Sequence, residues 1–510
     1  MSDIQKQSGA SSAGVAGGAA GGATNGAASA GGASSSGTAG GPAGGGAPTK
    51  REHFGSRLGF LLISAGCAIG LGNVWRFPSM VGEYGGAAFL LLYILFLVIF
   101  GLPILCMEFA VGRASQKSSA RSFEVLEPRG TKWHWVKWLS LSGNYLLMMF
   151  YTTVAGWMMA YFFKTATGSL GNLEPAQVTG VFSSMLASPV ELTLWMVAVV
   201  LIGFAVCSMG VQKGIERITK VMMGGLFVIM GILVVVAVTL DGAAEGLQFY
   251  LAPDFDKLFA GGVLGFLEIA CAAMSQAFFT LSIGIGSMAI FGSYIGRDRR
   301  LMGEAVSVGV LDFIVAFMAG LIIFPACFSF GISPDSGPSL IFITLPNVFG
   351  AMRLGQVWGT LFFLLMTFAA LSTVIAVFEN LIAFSMDEWG MSRRRAVLRN
   401  LAAMLLLSLP CVLGYNVLSG VVVPGIGDIQ SLEDFIVSSN LLPIGSLVYV
   451  LFCTHKSGWG FKNFLAEADA GNGISFPTWA HLWVAYGIPA LIVVVLVFGY
   501  IPVVRAWMGM

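Results

Sequence analysis

Apolar residues run along this chain in stretches of about twenty or more, the length a helix needs to cross the hydrocarbon core of a bilayer. Eleven such stretches are predicted, centred near residues 70, 97, 150, 198, 228, 275, 317, 370, 406, 444 and 491. Two of them are interrupted. Gly66 to Pro78 reads GCAIGLGNVWRFP, and Thr280 to Ser287 reads TLSIGIGS. Gly66, Gly70 and Gly72 loosen a membrane helix, and Asn73, Arg76 and Pro78 tax it further. That cost is offset where the freed carbonyls and amides, with Asn73, line a site for small ions and a polar solute. Two such breaks at corresponding places in two halves point to an inverted-repeat transporter.

Composition agrees: 56% of the 510 residues are hydrophobic and 10% charged, far too apolar for a soluble fold of this length. The net charge of +1 implies no nucleic-acid or acidic partner. What matters is where the charge lies. Of the 27 lysines and arginines, all but Arg76, Lys164, Lys257, Arg353 and Arg505 fall on one set of alternating connections and tails. The positive-inside rule makes that set cytoplasmic, with the N-terminus inside and the C-terminus outside; the expected location is the plasma (inner) membrane. The opposite connections, about 165–189, 239–257 and 332–356, are rich in Gly, Pro and small polar residues. They read as surface loops and candidate lids or vestibule walls. Residues 1–50 are mostly Gly, Ala and Ser and are expected to be a disordered tail, neither signal peptide nor span.

The seven cysteines all fall in apolar segments without a CxxC pair, and the four histidines are scattered, so neither a disulfide framework nor a transition-metal site is predicted. No lysine completes a phosphate-binding glycine loop. No nucleophile, base and orienting group gather at one place, so the chain is not read as an enzyme.

The run RLGFLLISAGCAIGLGNVWRFPSMVGEYGGAAFLLLY resembles the first-helix signature of the neurotransmitter:sodium symporters, and FFTLSIGIGS resembles their sixth-helix signature. The resemblance extends from about Arg51 to near the C-terminus and includes bacterial members that carry amino acids. It implies an all-α polytopic membrane protein of LeuT-like fold, a 5+5 inverted repeat with an eleventh transmembrane helix. The first repeat would occupy 51–240, the second 241–456, and a loop with helix 11 would occupy 457–510.

By the same resemblance, one sodium site takes the carbonyls of Gly66, Ile69 and Ala369 and the hydroxyls of Ser372 and Thr373. A second takes Ala68, Asn73, Thr280, Asp312 and the carboxylate of the substrate. Read alone, Ser372 and Thr373 would be ordinary helix hydroxyls bonded to the preceding turn. The substrate carboxylate is expected at the amides around Gly70, Leu71 and Gly72, with a helix N-terminus behind them and the Tyr151 hydroxyl as a further donor. Amino-acid carriers of the family have glycine at the position of Gly70, where monoamine carriers have aspartate. Leu147, Tyr151, Phe279, Ser282, Ile285, Thr373 and Val377 match positions lining the side-chain pocket, and their apolar character implies a neutral, hydrophobic or aromatic substrate.

Arg76 and Asp434 match an outer gate pair, with Phe279 and Tyr151 as the lid beneath. Arg51 and Asp387, with Tyr294 close by, match an inner gate. Asp312, in SVGVLDFIVAFMAG, stands where many animal relatives carry a neutral residue and need chloride, so the resemblance implies chloride independence. Glu108, Gln276 and Glu379 are read as bonding to backbone freed near the breaks. The expectation is sodium-coupled symport of a small neutral amino acid with two sodium ions, by alternating access. A sodium-dependent amino-acid sensor, or a weakly coupled channel-like protein of the same fold, is the alternative.

Overall fold

The computed structural model describes residues 56–171, 173–331 and 340–508, which are helical almost throughout. The expected flexible tail over 1–50, and Arg51 of the expected inner gate, lie outside the described residues. The first span is a bent pair, α1 (Arg57–Ala68) and α2 (Gly72–Glu83), meeting at 52°. It is followed by α3 (Ala87–Ser115), α4 (Trp133–Ala166), α5 (Pro189–Ser208), α6 (Val211–Val238) and α7 (Gly262–Thr280). After the second break come the short α8 (Ser287–Gly292), then α9 (Leu301–Ser329), α10 (Gly355–Trp389), α11 (Arg393–Gly414), α12 (Ile429–Thr454) and α13 (Thr478–Trp507). Ten described helices are long and apolar enough to cross a bilayer, and the bent pair makes eleven, matching the number predicted from hydropathy.

The two interrupted helices are enclosed by continuous ones. The long α4 and α10 pack along one another; α1 lies against α6, α9 and α10, and α8 lies against α3. This placement follows from the backbone. A broken helix leaves polar groups unpaired, and in a bilayer such groups are tolerated only where protein surrounds them.

Each break has a local cause. At the first, the Asn73 side chain accepts from the Gly70 amide at 3.2 Å and so closes the gap between α1 and α2. At the second, Ser282 (φ 51°), Gly284 (φ 100°) and Gly286 (φ 76°) all take up positive φ, a region the glycines enter freely and the serine does not. The Glu108 carboxylate accepts the freed Gly284 amide. The Ile285 carbonyl accepts from Asn144 Nδ2 at 2.8 Å and from Ser140.

The connections read as surface loops contain helices instead. Pro175–Ala187 starts at a capping box made by Glu174 and Gln177, Ala243–Leu251 packs on α9, and Leu345–Ala351 leads into α10. Phe182 of the first stacks on Phe342, ring centroids 5.0 Å apart, and both meet Trp157 of α4 edge-on. These aromatics pack the first and third segments, and Phe249 and Tyr250 pack the second on Phe324 of α9, where small polar residues suggest loops.

At the end of the bundle carrying the basic connections, Arg113 is fully buried. Its guanidinium donates to the Glu467 carboxylate at 2.7 Å and to the Arg299 carbonyl at 2.6 Å, and Arg297 reaches the same carboxylate at 2.6 Å. This ties α3 to the segment after α8 and to the helix Phe461–Ala468. Removing one partner of a buried ion pair strands the other. Arg113→Met is therefore expected to cost about 3–5 kcal/mol, toward the lower end because Arg297 still reaches Glu467. A thermal unfolding midpoint equal to that of the unchanged protein would show that the network adds nothing.

Candidate functional site

Below the bend of the first span, freed carbonyls point toward α10. Thr373 Oγ1 donates to the Gly66 carbonyl at 3.2 Å and lies 3.3 Å from that of Cys67. Ser372 Oγ donates to the Ala369 carbonyl of its own helix at 2.9 Å and lies 3.4 Å from the Ile69 carbonyl. Gly66, Ile69, Ala369, Ser372 and Thr373 thus form one buried cluster of oxygens, with both hydroxyls also bonded in the back-bonded manner of ordinary helix residues. Across the bend, Ser282 Oγ donates to the Cys67 carbonyl at 3.1 Å, joining the two breaks directly.

A second cluster surrounds Asp312 of α9, which is fully buried. Its carboxylate accepts from Asn73 Nδ2 at 2.8 Å, from Thr280 Oγ1 at 3.0 Å and from the Tyr93 hydroxyl at 3.3 Å. Every one of these partners is neutral. An ionised carboxylate in such a place is costly unless a cation joins it. Ala68 lines the adjoining cleft. Tyr93 was not anticipated; its only mark in the sequence is a hydroxyl inside an otherwise apolar run.

Between the clusters lies a cleft lined by Gly70, Gly72, Leu147, Tyr151, Phe279, Ser282 and Thr373, together with Cys67, Ala68 and Leu442. Its open volume is about 10 Å³, room for one water at most. A Cβ at Gly70 would lie 2.5 Å from Thr373 Oγ1 and would collide with the Tyr151 hydroxyl, so only glycine leaves the cleft open there. The Tyr151 hydroxyl accepts from the Leu71 amide at 2.9 Å, which leaves its own proton to donate.

Two expected lining residues, Ile285 and Val377, are not among those around the cleft's open space. Ile285 is buried within the second break, where its Cγ2 packs on Gly143, and Val377 is buried a turn beyond Thr373 on α10.

Above the cleft a vestibule of about 470 Å³ reaches the surface. Tyr151 and Phe279 line both spaces and separate them. The Arg76 guanidinium sits 4.6 Å over the Phe279 ring. Arg76 and Asp434 are joined through a serine and not as a direct pair: Arg76 donates to Ser438 Oγ at 3.2 Å, and Ser438 Oγ donates to Asp434 at 2.6 Å.

At the opposite end, Asp387 accepts from the Ser118 amide at 2.8 Å, and Arg57 pairs with Glu304 at 3.0 Å. Tyr294 donates to Glu379 at 3.2 Å. Glu379 corrects an expectation: it pairs with Arg393 at 3.1 Å, an ion pair between α10 and α11, where freed backbone had been expected as its partner. Glu108 and Gln276 do meet the breaks, Gln276 donating to the Gly72 carbonyl at 2.8 Å.

The sequence profile of the sodium:neurotransmitter symporter family matches residues 51–179 and 175–507. The chain is 35% identical over 449 residues to the uncharacterized sodium-dependent transporter YhdH of Bacillus subtilis, a match spanning 88% of this chain and 97% of that one. It is 31% identical over 466 residues to an uncharacterized sodium-dependent transporter of Haemophilus influenzae, spanning 88% and 98% of the two chains. Among solved structures, MhsT in complex with L-phenylalanine aligns with a TM-score of 0.80 and 38% identity, covering 88% of this chain and 100% of that one.

The contact between Tyr151 and Leu71 can be tested without any ligand. Tyr151→Phe removes the acceptor of a buried amide, which is expected to lower stability by about 1–3 kcal/mol and to appear as a lower thermal midpoint of the purified protein. An unchanged midpoint would mean that the Leu71 amide has another acceptor.

Proposed function

The chain belongs to the sodium:neurotransmitter symporter family, a family of transporters and not of enzymes, and from that premise we propose that it couples the movement of a neutral, hydrophobic or aromatic amino acid to sodium by alternating access, without chloride. The observation that carries this reading is the convergence of both helix breaks on one apolar cleft flanked by two oxygen clusters. The phenylalanine bound in the solved relative supports the same substrate class.

In this reading the substrate carboxylate meets the amides of Leu71 and Gly72 and the Tyr151 hydroxyl, and its side chain lies among Leu147, Phe279 and Ser282. One sodium ion is held by Gly66, Ile69, Ala369, Ser372 and Thr373. The other is held by Ala68, Asn73, Thr280 and Asp312 together with the substrate carboxylate, so that neither ion nor substrate is fully coordinated alone. That shared ligand is the coupling. Two ions crossing about 100 mV supply roughly 4.6 kcal/mol, and a tenfold gradient adds roughly 1.4 kcal/mol per ion. A zwitterion is then concentrated up to about 10⁵-fold.

Phe279 and Tyr151 serve as the lid toward the vestibule, with Arg76, Ser438 and Asp434 above. Contacts between partly exposed charges contribute only about 0–1 kcal/mol, which suits a gate broken in every cycle. Asp387, Tyr294 and Arg51 are assigned to the inner gate. The distribution of lysine and arginine supports a cytoplasmic N-terminus and an outward-facing vestibule, with 51–240 and 241–456 as the two repeats.

Uptake into proteoliposomes tests this reading. Phenylalanine or leucine should accumulate under an inward sodium gradient, equally well when chloride is replaced by gluconate, and should not accumulate under a potassium gradient. Asp312→Asn removes the fixed charge beside one ion. It should weaken sodium dependence by about tenfold or more, ~1.4 kcal/mol of lost attraction, and make uptake respond to chloride. Unchanged-protein uptake that requires chloride, or a variant with unaltered sodium affinity and no chloride response, would reject Asp312 as the compensating charge.

A further inference from the structure

One wall of the cleft comes from a part of α12, below Asp434, that the sequence reading did not single out. Leu442 of α12 lines the cleft beside Cys67, Leu147 and Ser282 and is only 1% exposed. It stands directly after a π turn, Val437–Leu441, and directly before Pro443. A π turn adds a residue to the helix, which rotates everything beyond it by about 100° relative to an unbroken helix. Leu442 owes its place at the cleft to that extra residue.

α12 is also seated on the second break with no side chains between them. A Cβ on Gly445 would fall on the Gly284 carbonyl, and a Cβ on Gly284 would fall on the Leu442 carbonyl. Backbones in such contact leave Leu442 no room to retreat, since moving it outward requires the break to move with it. Phe279, by contrast, is half-buried and faces the open vestibule, so it is free to swing. With an open volume of about 10 Å³, a substrate side chain must displace something on entering. The lid yields; the α12 wall does not.

We propose that Leu442 sets the upper size of the side chain this protein accepts, a role that rests on the reading of the cleft as an amino-acid site. Its position also explains why size bears on gating. Leu442 lies one turn from Ser438, the serine that joins Arg76 to Asp434, so a side chain too large for the wall presses on the helix that carries the outer closure.

Competition binding in sodium, with alanine, leucine, phenylalanine and tryptophan as probes, tests the proposal on the unchanged protein and on Leu442→Ala, Leu442→Phe and Leu441→Ala. Leu442→Ala should raise the affinity of tryptophan relative to leucine by about tenfold or more, and Leu442→Phe should lower phenylalanine relative to alanine by a similar factor. Leu441→Ala, next to it but outside the lining, should leave the order unchanged. If Leu442→Ala fails to fold, Leu442→Val carries the same test with a smaller shift in the same direction. An unchanged order in the Leu442 variants overturns the proposal, as does an equal shift in Leu441→Ala. Failure of the unchanged protein to bind any of the four would instead reject the site reading itself, and the role of Leu442 with it.

Discussion

Backbone groups that a bilayer cannot solvate are the constraint around which this molecule is built. An unpaired amide or carbonyl in hydrocarbon costs several kcal/mol, and each of the two breaks frees several. Their partners come from the whole bundle: Gln276 of α7, Ser372 and Thr373 of α10 at the first break, and Glu108 of α3 with Ser140 and Asn144 of α4 at the second. Ser282 then ties one break to the other through the Cys67 carbonyl. In the proposed function these same carbonyls would serve a dehydrated cation. A hydroxyl that turned its proton aside would offer its own lone pair to that ion, so that closing the break and binding a cation would use one set of oxygens.

The two ends of the bundle are secured differently. Toward the vestibule, closure rests on partly exposed groups: Arg76 over the face of Phe279 and a serine-bridged link to Asp434. At the other end, buried ion pairs hold α3 to the segment after α8 and α10 to α11, through Arg113 with Glu467 and Arg393 with Glu379. Screened contacts break at little cost and desolvated ones do not. The vestibule end is therefore the more weakly held of the two, which under the proposed function makes it the side that yields.

Much of this was legible in the chain before any coordinates. The spans follow from hydropathy alone, and both breaks follow from glycines placed where a helix would not spend them. The residues of the clusters around Ser372 and Asp312 come from the family resemblance and not from the residues read alone. What escaped was decided by helix rotation and by long-range partners. Ile285, in the second break, and Val377, a turn beyond Thr373, are buried next to the cleft without lining its open space. Leu442 reaches the cleft through a π turn, and nothing in VSSNLLP distinguishes a π from an α turn. Glu379 looked like one more polar group near a break, yet Arg393, fourteen positions on, claims it. The connections near 175, 243 and 345 read as loops because what holds their helices is packing across distant segments, Phe182, Trp157 and Phe342 for the first and third and Phe249 and Tyr250 on Phe324 for the second, which composition does not reveal.

Under the proposed function, sodium and an amino acid complete one another's coordination at the joined breaks. Equilibrium binding of labelled phenylalanine or leucine to the purified protein, titrated with sodium at constant ionic strength against potassium, measures it directly. Amino-acid affinity is expected to rise by about tenfold or more with sodium, and the amino acid to raise sodium affinity by the same factor, since coupling between two bound species is reciprocal. Equal amino-acid affinity in sodium and in potassium would overturn this coupling.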